Sequence, residues 1–266
     1  MSTDPTSREI LVTRDGAVQT IRIDRPAKKN ALTRAMYETM TAALLEAEQS
    51  PDIAVHVLVG SGGVFTAGND IQDFANRAVD LTKRTAGASS LISTLPTLTK
   101  PIIAAVDGLA IGVGVTMLFH CDLVYASPAA SFRTPFLDLG LIMEAGSSLL
   151  APRLMGHQRA FELLCLGEPF NAERAMQAGF VNHIVPAGEL EAVAQKAAQR
   201  LAAKPPGALA AARRLMRKAT PEEALARIAE EGIVFAERLG SAEAKEAFAA
   251  FLEKRPPDFA KLRGKG

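Results

Sequence analysis

The same order of local signals, strand, strand, helix, begins four times before residue 135 of this 266-residue chain. The first unit opens with "EILVTRDGAVQTIRID", two alternating runs joined at Asp15-Gly16, a dipeptide that accepts the positive φ of a tight hairpin turn. Pro26 ends the second run, and "ALTRAMYETMTAALLEAEQ" continues with helical spacing behind Thr33 or Asn30 as its cap. In the second unit "AVHVLVG" reads as a strand, "SGG" as a turn and "VFTAG" as another short strand before a polar loop. A third unit follows "KPIIAAV", and a fourth begins near "LVYASPAASFRTP". Such alternation asks for an α/β fold in which helices cover the sheets.

From about Ala172 the pattern turns helical, in "NAERAMQAGF", "ELEAVAQKAAQRLAAKP", "GALAAARRLMRKA", "PEEALARIAEEGIVFAERL" and "SAEAKEAFAAFLEKR", with "FVNHIVP" alone strand-like. The expected organisation is a ββα core with the functional site over residues 1–200 and a helical region over residues 201–266. The alanine-rich amphipathic helices at the end suit contacts between copies of the chain, and they equally suit covering the core.

Hydrophobic residues make up 48% of the chain, enough for a substantial core. Thirty basic residues against 29 acidic ones leave a net charge of +1 without a basic block, so nucleic acid is not an expected partner. Cys121 and Cys165 lie in apolar patterns without a CxxC neighbour, and the histidines at 56, 120, 157 and 183 lack metal-ligand spacing. Reduced core thiols, structural histidines and no bound metal are the expectation. "MSTDPTSREI" lacks a basic start and apolar run, and "LRGKG" is not an address tag, so a cytoplasmic location is expected. The run "IIAAVDGLAIGVGVTMLF" is long enough for a membrane, but Asp107-Gly108 and the glycines at 112 and 114 make it a buried strand, a tight turn and a packed helix start.

No GxSxG occurs, and "GVGVTM" lacks the third glycine of a dinucleotide fingerprint. Two segments instead combine glycine with a helix start: "FTAGNDIQDF", where Gly68 precedes Asn69, and "DGLAIGVGVTML", where Gly112 and Gly114 flank Val113. A main-chain NH at a helix start has no intrahelical acceptor and carries positive partial charge, so two converging NH groups could hold an oxyanion. As structure alone, both are ordinary glycine turns.

The segments "RPAKKNALT", "FTAGNDIQDF", "KPIIAAVDGLAIGVGV", "CDLVYAS", "TPFLDLGLIMEAGSS" and "AFLEKRPPDF" together resemble the crotonase superfamily, the enoyl-CoA hydratase/isomerase family, in order and over nearly the whole chain. The resemblance implies a spiral of ββα units followed by a helical region that builds trimers, often paired as hexamers. It also implies an acyl-CoA substrate whose thioester oxyanion is held by two main-chain NH groups, here those of Asn69 and Val113. Lys29, Ala31, Ala67, Asp70 and Ile71 become candidate CoA contacts, and Phe251 and Lys254 candidates to reach the CoA of a neighbouring subunit. No cofactor is implied beyond the coenzyme A that is part of the substrate.

Hydratases of the family use two glutamates, where this chain has Thr116 and Phe136. "TPFLDLGLIMEAGSS" instead resembles the Δ3,Δ2-enoyl-CoA isomerase branch, which carries one glutamate at the position of Glu144. Moving a double bond from the 3,4 to the 2,3 position takes a proton from C2 and returns one to C4, and a single base can do both. Apolar surroundings would raise that carboxyl from about 4.3 toward neutrality. A purely structural Glu144 would cap the helix beginning "AGSSLLAPRLMG". Rival readings are another crotonase reaction, such as hydration or thioester hydrolysis with Glu144 or Asp138 as base, and a non-catalytic acyl-CoA binder.

Overall fold

The computed structural model describes residues 8–70 and 86–262. Strands β1 (Ile10–Asp15) and β2 (Val18–Ile23) form the expected hairpin, paired from Ile10–Ile23 to Asp15–Val18, with Gly16 at φ 55° in the turn. Helix α1 (Arg34–Gln49) starts at Thr33, whose hydroxyl accepts from Met36 N; Asn30 instead bonds the main chain around it. Strands β3 (Val55–Gly60) and β4 (Ile102–Val106) follow, separated by α2 (Ala86–Thr94).

After β4 come β5 (Leu109–Ile111), the one-turn helix α3 (Val113–Thr116), β6 (Leu123–Ala126) and β7 (Ser131–Arg133). Helices α4 (Ser147–Met155) and α5 (His157–Phe161) lead into a π-helical turn, then β8 (Phe170–Asn171), α6 (Ala172–Ala178) and β9 (His183–Ile184). The chain closes with α7 (Ala187–Ala202), α8 (Pro206–Met216), α9 (Thr220–Leu239) and α10 (Ala242–Leu252).

The strands form two sheets, one ordered β1-β2-β3-β4-β6-β9 and one ordered β5-β7-β8. From β2 onward the larger sheet is parallel and covered on both faces, which is why its inner strands read as unbroken apolar runs. Side chains alternate across it: Val55, Val57, Val59, Ile103 and Ala105 face Leu190, Ala194 and Ala198 of α7, whereas Leu58, Ile102 and Ala104 join the core under α1. The fold is thus α/β, with ββα units and C-terminal helices as expected.

"VFTAG" departs from expectation. It forms no strand but makes one single-residue parallel bridge, Thr66 with Ala110, and the residue just after it, Asn69, bridges instead to Leu32. A segment that changes partner after each residue cannot accumulate a ladder. The C-terminal helices also lock onto the core: Arg213 of α8 is 8% exposed, its Nε 2.9 Å from Asp122 Oδ1 while its Nη1 donates to Leu98 O. Both cysteines are free, and burial raises the thiol pKa of each, which keeps them protonated. No helix among the described residues is long and apolar enough to cross a membrane.

Candidate active site

The two glycine-rich segments singled out in the sequence lie side by side. Thr66 N donates to Leu109 O (2.9 Å) and Ile111 N to Thr66 O (3.0 Å), so residues 66–69 run alongside 109–112. Gly68, at φ 84°, backs onto Ile111: a Cβ there would stand 2.7 Å from Ile111 O, a contact no side chain tolerates. The next residues on the two segments are Asn69 and, beyond Gly112, Val113. Leu32 N bonds Gly68 O and Asp70 N bonds Leu32 O, so both neighbours of Asn69 are tied to Leu32. Tyr37, from α1, donates its hydroxyl to Asn69 Oδ1 at 2.6 Å and holds the side chain as well.

Val113 opens α3 behind Gly112, whose φ of 57° makes the turn. Among the described residues neither the Asn69 NH nor the Val113 NH has an acceptor. Two neighbouring main-chain donors left open in this way can take an oxyanion.

Glu144 approaches the same helix. Its Oε1 accepts from the Thr116 hydroxyl at 2.5 Å, one turn after Val113. Thr116, at the position where the resemblance puts the first hydratase glutamate, donates to a carboxylate instead of being one. Phe136, at the second such position, is buried 3.9 Å from where a Cβ on Gly112 would lie, and packs with Leu141 and Phe248. Glu144 keeps some solvent exposure, while dense protein surrounds its carboxyl. Burial pushes its pKa up to about 7, opposed by the Thr116 hydrogen bond and reinforced by the charge of Glu231.

Glu144 is not a cap. Helix α4 has Gly146 as its N-cap, and the carboxylate that serves its first turn is Glu231 of α9. The main chain after Glu144 turns sharply, with Ala145 at φ 61° and Gly146 at φ 71°. Ser147 bonds back to Glu144 O through both N and Oγ, and the His120 ring bonds Ala145 O at 2.7 Å. Burial drives the His120 pKa down to about 4, so it is neutral and donates from Nε2. Asp138, the other acid considered as a base, is exposed and paired with Arg133 at 3.0 Å.

Of the candidate CoA contacts, Lys29, Ala31, Ala67 and Asp70 cluster beside Asn69. Ala67 N bonds Lys29 O at 2.9 Å, and Arg25 Nη1 bridges Ala31 O (3.0 Å) and Asp70 Oδ2 (2.7 Å). Lys29 is exposed at φ 51°, whereas the Asp70 carboxylate is committed to Arg25. Ile71 lies outside the described residues. Phe251, in the last turn of α10, and Lys254, just beyond it, have exposed side chains, and Lys254 N bonds Phe251 O at 3.2 Å. No cluster of metal-ligating side chains occurs among the described residues.

Sequence reasoning missed Tyr37, His120 and Glu231, and took Thr116 only as a missing glutamate. The contacts of these four residues span 25 to 85 positions, and no local pattern announces them. Thr116→Val should raise the pH at which Glu144 ionises. A hydrogen bond to a charged group is worth roughly 1.5–3 kcal/mol, so a rise of about one pH unit or more is expected. Carboxyl 13C NMR against a Glu144→Gln blank measures it, and an unchanged midpoint would remove Thr116 from the site's electrostatics.

The model of the enoyl-CoA hydratase/isomerase family matches residues 13–262. Enoyl-CoA delta isomerase 2 of Rattus norvegicus is 34% identical over 94% of this chain, which spans 65% of that longer protein. The 2,3-dehydroadipyl-CoA hydratase of Escherichia coli K12 is 32% identical, with 94% of this chain and 98% of the relative covered. A crystal structure of an enoyl-CoA hydratase/isomerase from Pseudoalteromonas atlantica T6c superposes with a TM-score of 0.90 at 39% identity, covering 94% of this chain and 99% of the other. Relatives named isomerase and relatives named hydratase thus lie at similar distance, and what they share places this chain in the enoyl-CoA hydratase/isomerase family of the crotonase superfamily.

Proposed function

We propose that the chain is a Δ3,Δ2-enoyl-CoA isomerase. The observation that carries this reading is the acid beside α3: Glu144 is bonded to Thr116, and Thr116 and Phe136 stand where the family resemblance would put the two hydratase glutamates. Hydration needs one group to activate water and another to supply a proton, whereas double-bond migration needs one group that does both in turn.

In this reading the thioester oxygen sits between the NH groups of Asn69 and Val113. Glu144 takes a proton from C2, the electron pair spreads into a dienolate stabilised by the two donors, and the same carboxyl returns the proton to C4. The C3–C4 double bond is lost, the C2–C3 double bond forms, and no redox cofactor is consumed. A base with its pKa near 7 is ionised enough to accept a proton at neutral pH and acidic enough to give it back.

The CoA portion lies along Lys29, Ala31, Ala67, Asp70 and Ile71, with Phe251 and Lys254 supplied by a neighbouring copy in a trimer or hexamer. Exposed Leu215, Met216 and Ile233 on α8 and α9 offer apolar surface for that assembly. Enoyl-CoA hydration, favoured by the names of several relatives, is the second reading.

Two parallel assays separate these readings. A 3-enoyl-CoA should be converted to the conjugated 2-enoyl thioester, followed by its ultraviolet absorbance. A 2-enoyl-CoA should be hydrated at least about 100-fold more slowly, the lower range of what one general acid–base group contributes. Faster hydration would transfer the chain to the second reading, and acyl-CoA binding with neither turnover would make it a binder.

A further inference from the structure

Glu231 lies in the middle of α9, in the helical region, yet its side chain reaches the turn that carries Glu144. It is 4% exposed, and each carboxylate oxygen accepts one main-chain NH: Oε2 from Gly146 (2.6 Å) and Oε1 from Ser148 (2.9 Å). A buried carboxylate is costly, so it persists where it satisfies donors that nothing else can. The first turn of α4 has such donors, because its cap is a glycine without a side chain.

These two NH groups follow Glu144 by two and four residues, across a backbone that reverses at Ala145 and Gly146. A non-glycine residue at φ 61° costs on the order of 1–3 kcal/mol and persists only where its surroundings hold it. The holding contacts come from three directions: Glu231 from α9, the His120 ring on Ala145 O, and Ser147 on Glu144 O.

We propose that Glu231 is a positioning residue for Glu144, its two oxygens fixing the Gly146–Ser148 turn so that the Glu144 carboxyl stays against Thr116 beside α3. This rests on the reading of Glu144 as the base, and it makes the base depend on a helix more than 80 residues later in the chain. A carboxylate is required because it alone offers an acceptor to both NH groups, whereas a glutamine would turn an NH2 toward one of them.

The charge of Glu231 also acts on Glu144. Among the described residues the charged groups around the pair include, on α9, Arg227, which bonds Ser148 Oγ (3.3 Å) and pairs with Glu230. Farther out, Arg153 of α4 pairs with Glu223, and Arg238 pairs with Glu243 of α10. Thr116 and neutral His120 complete the surroundings. Removing the negative charge at 231 should therefore ease ionisation of Glu144.

The test uses Glu231→Gln and Glu231→Asp in the full chain. Glu231→Gln is expected to lower kcat about 10–100-fold with KM within about twofold, the cost of a base displaced by a fraction of an ångström to one ångström. The pH midpoint of the reaction should move to lower pH. Glu231→Asp keeps the charge on a shorter arm and is expected to keep the midpoint while losing about threefold in kcat. Should the glutamine variant not fold, the aspartate variant carries the test. Wild-type kcat and midpoint in the folded variants, with only Tm lowered, would overturn the proposal. Infrared titration of the Glu144 carboxyl, against a Glu144→Gln blank, reads the same shift without substrate. A shifted band in a protein that does not isomerise 3-enoyl-CoA would sink the isomerase reading and leave Glu231 in its role.

Discussion

Glu144→Gln is expected to reduce isomerisation of a 3-enoyl-CoA at least about 1,000-fold while acyl-CoA affinity changes little. The amide keeps the size and can still accept from Thr116, but it can neither take nor return a proton. General acid–base groups contribute about 10²–10⁴ per step, and here one carboxyl would serve both transfers. In the wild type, kcat/KM should rise with pH through a midpoint near 7 and level off above it, since the ionised form is the active one.

Stability should move the other way. A carboxyl whose folded pKa lies above its unfolded value contributes stability that is full below the unfolded pKa and is lost as pH rises through the folded one. Glu144 therefore contributes a loss of stability between about pH 4.5 and 7 that Glu144→Gln lacks, while Glu231, also raised by burial, contributes alike in both. At pH 8 the inactive variant should be the more stable by about 1–3 kcal/mol, read from urea midpoints. An active variant would end the proposed mechanism. Equal stability at pH 8 would mean that Glu144 bears no burial penalty in solution.

Gly68→Ala is expected to be the second most damaging change. The residue sits at φ 84°, and its new Cβ would meet Ile111 O at 2.7 Å, so segment 66–69 must move away from 109–112. That displaces the Asn69 NH from the Val113 NH, and losing one oxyanion donor costs about 10²–10³ in kcat. Gly16→Ala is the control. It also stands at positive φ, 55°, but nothing lies within 4 Å of its added carbon. It should cost about 1 kcal/mol of stability and leave kcat unchanged. If both variants kept full turnover, the close approach of the two segments would have no part in the reaction.

Much of the architecture was legible in the residues, because hairpins, strands and helices write their periods locally. Asp15-Gly16, the alternation of "QTIRID", the apolar runs of β3 and β4 and the cap at Thr33 all led to elements found in the structure. "VFTAG" misled, since its apolar and β-branched residues are those of a strand while the fold pairs it at one residue, Thr66, before the chain changes partner at Asn69. Glu144 was conspicuous as one carboxylate among small and apolar residues, but its cap reading and its chemical reading looked alike in sequence. The structure separated them by assigning the cap to Glu231.

By itself the amino-acid order determined the ββα units, the helical end and the two glycine turns, for these depend on φ, ψ and side-chain alternation within a few residues. Only the tertiary structure decided that Gly68 would rest on Ile111, that Thr116 would meet Glu144 and that Glu231 would bond the turn that follows Glu144. Hydrogen bonds and burial act through space, and chain closure over 28 to 85 residues is set by the packing of every element at once.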